Sequence, residues 1–234
     1  MPALPLKGIS SMATRQLLAA LVPDWSRQHA QTVNLESVGG VDAARRVAEG
    51  ELFDFVILAD DAIDQLIASG AADGQHKFPL VRSGMAACVK AGAQRPLWRH
   101  GDDVRQTVVT VAAQGRGIGY STGPSGNALL KLFDQWGLLA SLRPHLVQAR
   151  PGVPVGSLVA SGEVALGFQQ LSELIHVEGI DLVGPLPDDI QVTTVFTGAV
   201  CARAPQPGAA AELLRHLASA ATAAAKLEQG MAPA

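Results

Sequence analysis

The sequence has little charge and no run of like charges. Charged residues make up 17% of its 234 residues, and the formal net charge at pH 7 is -3. A protein that binds the phosphate backbone of a nucleic acid needs clustered lysine and arginine. Because the sequence has no such cluster, we expect no nucleic-acid partner.

Cysteines and cofactor-binding motifs are also scarce. The two cysteines, Cys88 and Cys201, lie in separate apolar stretches without a CxxC pair, which predicts buried free thiols rather than a disulfide or a metal site. The six histidines have no ligand spacing. There is no GxxxxGK[ST], HExxH or GxSxG motif, and residues 115–119 do not form GxGxxG. We therefore expect no metal and no cofactor.

No apolar run reaches the roughly 20 residues that a helix needs to cross a bilayer, so we expect no membrane insertion. Residues 1–7 lead towards a predicted strand without the basic and apolar regions of a signal peptide. This favours a cytoplasmic protein. The alternative is a periplasmic protein from which a leader has been removed.

Hydrophobic residues, at 48%, occur in segments that alternate between strand-like and helix-like patterns. The run 53–58 is almost wholly apolar, as is typical of a strand covered on both faces. The alternation predicts an α/β protein with mainly parallel sheets flanked by helices, which bind ligands at the carboxyl ends of the strands. The predicted strands are 4–9, 32–37, 53–58, 80–89, 118–120, 164–169 and 191–202. The predicted helices include 41–49, 102–113, 127–137, 153–161 and a terminal Ala-rich helix at 207–228.

Two predicted helix starts are preceded by small hydroxyl-bearing residues, one at 10–12 and one at 121–126. The free N–H groups and the positive dipole end of a helix start favour an anion. The alternative is that these hydroxyls only cap their helices. The candidate ligand contacts in these two segments are Ser10, Ser11, Met12, Thr122, Gly123, Ser125 and Gly126.

Four further polar residues are candidates for binding or chemistry. Arg82 lies in the predicted apolar strand 80–89, where an unpaired charge is costly. It therefore requires a carboxylate partner, an exposed strand end or a bound carboxylate that suits its planar guanidinium. Gln169 and Gln170 end another apolar strand, and one of them, for which we select Gln170, can offer its amide to an anion. The alternative is that both amides bond only to neighbouring backbone. Asp60 and Glu173 follow strand ends and are the carboxylates best placed to act as a base.

In the order of these features, the chain resembles the molybdate-receptor-like branch of the type II solute-binding proteins over nearly its whole length. The segment 10–12 is similar to the first, serine-containing ligand loop of that family. The stretch 162–170 resembles its GE-x-x-x-G strand. The other similar segments are Val38-Gly39-Gly40, 56–60, Pro124-Ser125-Gly126 and the terminal 230–233.

The resemblance implies a two-lobed type II periplasmic-binding-protein fold, with a ligand cleft between the lobes. Lobe 1 is expected to comprise residues 1–80 plus 195–234, and lobe 2 residues 81–194. Gly39 and Gly40 of the second loop, and Val153 at the start of the predicted helix 153–161, complete the expected ligand contacts.

Two departures from the family pattern bear on the ligand. Where molybdate receptors have a tyrosine after the GE-x-x-x-G strand, this chain has Gln170, and Arg82 is an added charge. Both changes favour an organic carboxylate over molybdate. The sequence therefore predicts a solute-binding protein for a small anion, with an ABC permease as its partner if the protein is exported.

The alternative function is an isomerase. Relatives of these receptors, the aconitate isomerases, look like solute-binding proteins that catalyse a proton shift on an unsaturated carboxylate. Such a reaction needs an anion site and one base beside an acidic C–H bond. The residues leave open whether the chain is an enzyme and which residue is its base.

Overall fold

The computed structural model describes residues 4–234, in which strands and helices alternate along most of the chain. The strands are β1 (Leu6–Ser11), β2 (Val33–Val38), β3 (Phe55–Ala59), β4 (Ala72–Lys90), β5 (Ile118–Tyr120), β6 (Leu146–Gln148), β7 (Leu166–Gln170), β8 (Ile180–Pro185), β9 (Thr193–Cys201) and β10 (Ala232–Pro233). The helices are α1 (Arg15–His29), α2 (Gly40–Ala48), α3 (Asp60–Ala68), α4 (Gly101–Ala113), α5 (Pro124–Gln135), α6 (Leu139–Leu142), α7 (Val155–Ser161), α8 (Leu171–Leu174), α9 (Pro207–Ala218) and α10 (Ala223–Glu228). Short 3-10 helices lie at Met12–Thr14, Arg143–His145 and Ala220–Thr222.

The chain forms two compact units. Unit 1 contains the described residues up to Ser83 together with Thr194–Ala234, and unit 2 is the continuous segment Gly84–Thr193. The chain passes from one unit to the other within β4 and again at the start of β9. Residues 1–3, with which the lobe 1 expected from the sequence begins, lie outside the described residues.

The sheet of unit 1 has the strand order β2-β1-β3-β9-β4, and β10 pairs with β4. Strand β1 is parallel to β2 and β3, whereas β9 is antiparallel to β3. Ser10 pairs with both Ser37 and Ile57, so β1, β2 and β3 end at one edge of the sheet. Helices α2 and α3 begin at this edge, as does α1 after one 3-10 turn. Ligands of α/β proteins bind at such an edge.

Helices cover both faces of the unit 1 sheet, which explains the apolar run in β3. Phe55 and Ile57 lie in one core cluster with residues of α1 and α9. Val56 and Leu58 lie in another cluster with residues of α2 and α3. Because successive side chains of a strand point to opposite faces, a strand covered on both sides must be apolar throughout.

Unit 1 also contains a buried lysine. Lys226 in α10 is 0% exposed, and its ammonium group has no hydrogen-bond partner among residues 4–234. Burial disfavours the charged form and lowers the pKa of Lys226. An ammonium group without a partner is a free-energy cost to the folded protein.

The sheet of unit 2 has the order β4-β7-β5-β6, and β8 also pairs with β4. Strand β5 is parallel to β6 and β7, whereas β7 and β8 are antiparallel to β4. Tyr120 pairs with Gln148 and with Phe168, so β5, β6 and β7 approach a common edge. Helices α5, α7 and α8 follow from that edge. Helix α5 packs on a core that includes Phe133 and Phe168, whereas residues of α7 and α8 lie in a separate cluster with Ala86 and Cys88 of β4.

The predicted α/β class is confirmed, whereas several details of the predicted secondary structure are wrong. Strand β4 begins at Ala72 rather than at residue 80, and the strands β6 and β8 were not predicted. Strand β6 has three residues and β8 is only partly buried, so neither shows the apolar periodicity that marks a strand. The predicted helix 153–161 begins at Val155, because Pro154 restricts the preceding residue to extended conformations.

The terminal helix predicted at 207–228 is broken into α9 and α10. The chain is extended at Ser219, with φ -72° and ψ 161°. The Thr222 hydroxyl donates to the carbonyl groups of Leu217 and Ser219, at 3.0 and 2.8 Å, which satisfies acceptors at the end of α9. The high helix propensity of alanine therefore does not carry the helix through this turn.

Within the described part of the chain, no helix is long and apolar enough to cross a bilayer. The same residues contain no group of three or more side chains that could hold a metal ion. Cys88 and Cys201 are buried free thiols, as predicted, and burial raises the pKa of each to about 12.

Candidate functional site

In unit 1, the end of β1 carries two buried serine side chains. Ser10 Oγ lies 2.8 Å from Ser37 Oγ on β2, so these two hydroxyls satisfy one another. Ser11 Oγ is buried and has no hydrogen-bond partner among the described residues. The Ser11 carbonyl accepts a hydrogen bond from the Thr14 hydroxyl at 3.1 Å, which closes the 3-10 turn that begins with Met12. Ser11 is thus held by its backbone while its hydroxyl lacks a partner.

The start of α2 lies against Ser11. A Cβ atom added to Gly40 would be 3.6 Å from Ser11 Cβ, so the two backbones approach closely. Gly39 precedes α2, and no side chain caps the first N–H groups of the helix. Uncapped N–H groups and the positive helix dipole attract an anion. The predicted contacts Ser11, Gly39 and Gly40 therefore come together in unit 1.

Asp60, one of the two candidate bases, begins α3 and is already engaged. Its Oδ1 accepts the Thr197 hydroxyl at 2.6 Å and lies 3.0 Å from Lys77 Nζ. Burial acts to raise the pKa of Asp60, but the hydroxyl and the ammonium together hold it below its ordinary value. Asp60 is therefore a carboxylate at neutral pH and a weak base.

The environment of Arg82 is one of those that the sequence left open. Its neighbours Val81 and Ser83 are buried, but the Arg82 side chain itself is exposed, so no charge is buried in this strand. Its Nε donates to the carbonyl of Pro233 at 3.1 Å. None of the described carboxylates forms an ion pair with Arg82, and its exposure means that none is required. Of the alternatives that the sequence left open for Arg82, the structure therefore agrees with an exposed side chain, and the contact of Arg82 with a ligand stays a prediction.

In unit 2, the turn after β5 brings two hydroxyls together. Ser121 Oγ lies 3.0 Å from Ser125 Oγ, and both residues are buried. Helix α5 begins at Pro124, and no side chain caps its first N–H groups. A Cβ atom on Gly126 would lie 1.8 Å from the Ser121 carbonyl oxygen, so only glycine fits this turn. Of the predicted contacts, Thr122 and Gly123 lie in this turn, and Ser125 and Gly126 lie in the first turn of α5.

The end of β7 carries a second group of polar side chains in unit 2. Gln169 Oε1 accepts the backbone N–H of Val155 at 2.7 Å, and Gln169 Nε2 donates to Glu173 Oε1 at 2.8 Å. Gln170 is buried at the strand end. Val153 is 38% exposed in the segment that precedes α7. Gln170 therefore lies at the strand edge of unit 2, whereas Val153 lies in the loop before α7.

Glu173, the other candidate base, has a different environment from Asp60. Burial raises the pKa of Glu173 to about 7, although the Gln169 amide acts in the opposite direction. Catalytic acids and bases are most effective when their pKa lies near the working pH. Between the two carboxylates that the sequence suggested, Glu173 is the one suited to exchange a proton at neutral pH.

Sequence reasoning missed three residues of these clusters, which are Ser37, Lys77 and Thr197. Ser37 lies at the end of β2, two residues before Gly39, so its position in a strand next to β1 could have revealed it. Thr197 reaches Asp60 because β9 pairs with β3 in a register that places Thr197 opposite Leu58, and Lys77 reaches Asp60 from the distant strand β4. No local sequence pattern encodes that register.

A family model described as bacterial extracellular solute-binding protein matches residues 6–232. This chain belongs to that family. A relative named aconitate isomerase, from Pseudomonas sp, is 38% identical over 191 residues, which cover 80% of this chain and 70% of the relative. The predicted resemblance to type II solute-binding proteins is confirmed.

Solved structures show the same fold at low sequence identity. The periplasmic molybdate-binding protein of Azotobacter vinelandii aligns with a TM-score of 0.80 at 19% identity, over 97% of this chain and 98% of its own. The sulfate-binding protein SubI of Mycobacterium tuberculosis aligns with a TM-score of 0.78 at 17% identity, over 99% of this chain and 87% of its own. At these identities the likeness shows the fold alone.

Proposed function

We propose that this protein binds a small organic carboxylate, for which the hydroxyl-bearing strand end of each unit offers contacts. The observation that carries the proposal is the Ser11 hydroxyl, which is buried beside the uncapped start of α2 without a hydrogen-bond partner among the described residues. A buried hydroxyl is costly unless a partner satisfies it. A carboxylate oxygen is a partner that both the hydroxyl and the helix start can bind.

The turn of unit 2 supports the same ligand class. It offers the paired hydroxyls of Ser121 and Ser125 and the uncapped start of α5. The preference for a carboxylate over a metal oxyanion is supported by the relative that is named for aconitate, a tricarboxylate. It is also supported by Gln170, which stands where molybdate receptors have a tyrosine.

The test is a thermal-shift screen against molybdate, sulfate, phosphate and a panel of carboxylates that includes both aconitate isomers. A ligand at 100 times its Kd stabilises the folded state by about 2.7 kcal/mol. Stabilisation by carboxylates supports the proposal. Stabilisation by the inorganic oxyanions alone contradicts the proposed ligand class. If none of these anions stabilises the protein, anion binding itself is contradicted.

Ser11→Ala tests the contact itself. Because the unpaired hydroxyl is a cost to the free protein, we expect a melting temperature without ligand that is unchanged or higher. A hydrogen bond to a charged group contributes about 1.5–3 kcal/mol, so affinity should fall roughly 10- to 150-fold. The control is Ser69→Ala, which removes an exposed hydroxyl bonded to the Leu66 carbonyl in the same unit. Wild-type affinity in Ser11→Ala would show that this hydroxyl does not contact the ligand.

A second candidate function is isomerisation of an unsaturated carboxylate. Two observations favour it: the relative named aconitate isomerase and the pKa of Glu173, which is near neutrality. The test is proton NMR of each aconitate isomer in deuterated water with the protein present. Interconversion with deuterium incorporation supports an enzyme. A thermal shift without conversion supports a receptor.

The two candidate functions imply different partners and locations. For a receptor we propose an ABC permease as partner and the periplasm as location, as is usual for the family to which the chain belongs. For an isomerase we propose that the protein acts without a permease, in the cytoplasm. Cell fractionation and co-purification with a permease distinguish the two.

A further inference from the structure

Hydrogen bonds in unit 2 fix the orientation of Gln169 and, through it, the chemistry of Glu173. The Val155 backbone N–H can only donate, so the Gln169 atom facing it must be the carbonyl oxygen. The Gln169 NH2 group consequently faces Glu173 Oε1 and donates to it. Because Glu173 Oε1 accepts this bond, a proton on the carboxyl group is carried by the other oxygen, Oε2.

This carboxyl group belongs to the edge of the unit 2 sheet at which the predicted ligand contacts lie. Glu173 is in α8, which begins directly after β7. Strand β5 is parallel to β7, and Ser121–Ser125 follow its end. Gln169 links the two remaining segments of the edge, because it bonds both the first residue of α7 and Glu173.

Among the described residues, no charged group contributes to the pKa of Glu173. Helix α8 packs mainly against β7 and β8, and Gln169 connects it to α7. Neither β7 nor α7 contains a titratable residue, and β8 contains Asp181, whose Oδ2 accepts the Gly92 N–H at 2.9 Å. His176 and Glu178 follow α8 in the chain. The pKa of Glu173 responds to burial and to the Gln169 amide, not to any of these charges.

We propose that Glu173 is a further anion-binding residue, which in its protonated form donates a hydrogen bond from Oε2 to an oxygen of the bound carboxylate. This inference rests on the proposed function, since it requires that an anion bind at this edge. A second negative charge close to a carboxylate favours the neutral acid. Binding of the anion therefore takes up a proton, and release of the anion returns it to solvent.

The number of protons taken up on binding follows from the pKa of Glu173, which is about 7. Near this pH about half of the free protein carries the proton, whereas all of the complex does, so binding takes up about half a proton per site. Above the midpoint, affinity should fall about tenfold per pH unit. Below it, affinity should be independent of pH as far as Glu173 is concerned.

The experiment is isothermal titration calorimetry of the full chain with trans-aconitate, and with molybdate as a second probe. The dependence of the measured enthalpy on the ionisation enthalpy of the buffer gives the number of protons taken up. Glu173→Gln keeps a donor towards the ligand and an acceptor for Gln169 but cannot titrate. Protons that the probe itself takes up or releases contribute equally to the measurement for every variant. The difference in proton uptake between wild type and Glu173→Gln is therefore the contribution of Glu173.

We expect the proton uptake of Glu173→Gln to be lower than that of the wild type by about half a proton near pH 7, and its affinity no longer to fall above that pH. The matched control Glu163→Gln, at an exposed position between α7 and β7, should behave as the wild type. Equal uptake in wild type and Glu173→Gln, with binding retained, overturns the role of Glu173 alone. Failure of both probes, and of every other anion of the thermal-shift screen, to bind the wild type overturns the proposed function as well.

A second measurement does not depend on the variant being folded. In the free wild-type protein, one glutamate carboxyl carbon should titrate near pH 7 in NMR. With the anion bound, the same resonance should keep the chemical shift of the protonated carboxyl group above that pH. A glutamate resonance that titrates identically in the free and bound protein contradicts the inference.

Discussion

Replacing the buried Lys226 by methionine should stabilise the protein. The lysine is 0% exposed and its ammonium has no hydrogen-bond partner among residues 4–234, whereas methionine has a similar length and no charge. Replacing buried charges, even paired ones, by apolar side chains of similar volume stabilises proteins by up to about 1–4 kcal/mol. Since the ammonium is unpaired, we expect a gain within this range. For a chain of this size it corresponds to roughly 2–4 °C in Tm per kcal/mol.

The pH dependence gives this prediction a second signature. The folded-state pKa of Lys226 is lowered, so the unfolded chain binds more protons between that pKa and the ordinary lysine value of about 10.4. Stability of the wild type therefore rises with pH across this interval. The penalty is fully present below the lowered pKa and disappears above about pH 10.4. The advantage of Lys226→Met should shrink over the same interval.

The assay is denaturant unfolding followed by circular dichroism, near neutral pH and again at alkaline pH. Lys131→Met is the matched control, because Lys131 is exposed on α5 and a surface change usually alters stability by less than about 0.5 kcal/mol. If Lys226→Met is no more stable than the wild type at neutral pH, or if its advantage is the same at both pH values, the ammonium group is not an unbalanced charge.

Two further predictions concern the acid and thiol chemistry of the fold. The lowered pKa of Asp60 contributes stability above the ordinary carboxylate pKa, which is lost as pH falls through the lowered value. Thr197→Val removes one donor, so its acid-unfolding midpoint, measured by circular dichroism, should move to higher pH, whereas Thr110→Val on an exposed helix face should not move it. Cys88 and Cys201, buried with pKa values of about 12, should not react with a thiol reagent until the protein is denatured. Rapid reaction of either thiol in the native protein would contradict their described burial.

Local sequence was sufficient for those parts of the fold in which one short pattern decides the structure. The almost wholly apolar run 53–58 predicted a strand covered on both faces, which is β3. Residues 121–126 predicted a helix start after β5, although α5 begins at Pro124 rather than at residue 127. The break between α9 and α10 could not be predicted in this way. It depends on the Thr222 hydroxyl, whereas the alanines around it all favour a continuous helix.

The candidate site shows the same division. Residues at the strand ends could be placed at one edge of a parallel sheet from the order of the elements alone. Whether a side chain is covered depends on residues far away in the chain. The exposure of Arg82 and the burial of Glu173 therefore could not be predicted from their local sequence. Arg82 stands among buried residues but is itself exposed. Glu173 is half-buried by tertiary structure, and this partial loss of water raises its pKa.

The passage of the chain from unit 1 into unit 2 and back has a consequence for synthesis. Unit 2 is one continuous segment, so all its strands have left the ribosome once Thr193 has emerged. Unit 1 still lacks β9, which lies between β3 and β4 in its sheet, and also α9 and α10. During translation the middle of the chain can therefore finish folding first, while β1 to β3 wait with one edge of their sheet unpaired. A chaperone that protects nascent chains should bind this N-terminal segment until the last residues are made.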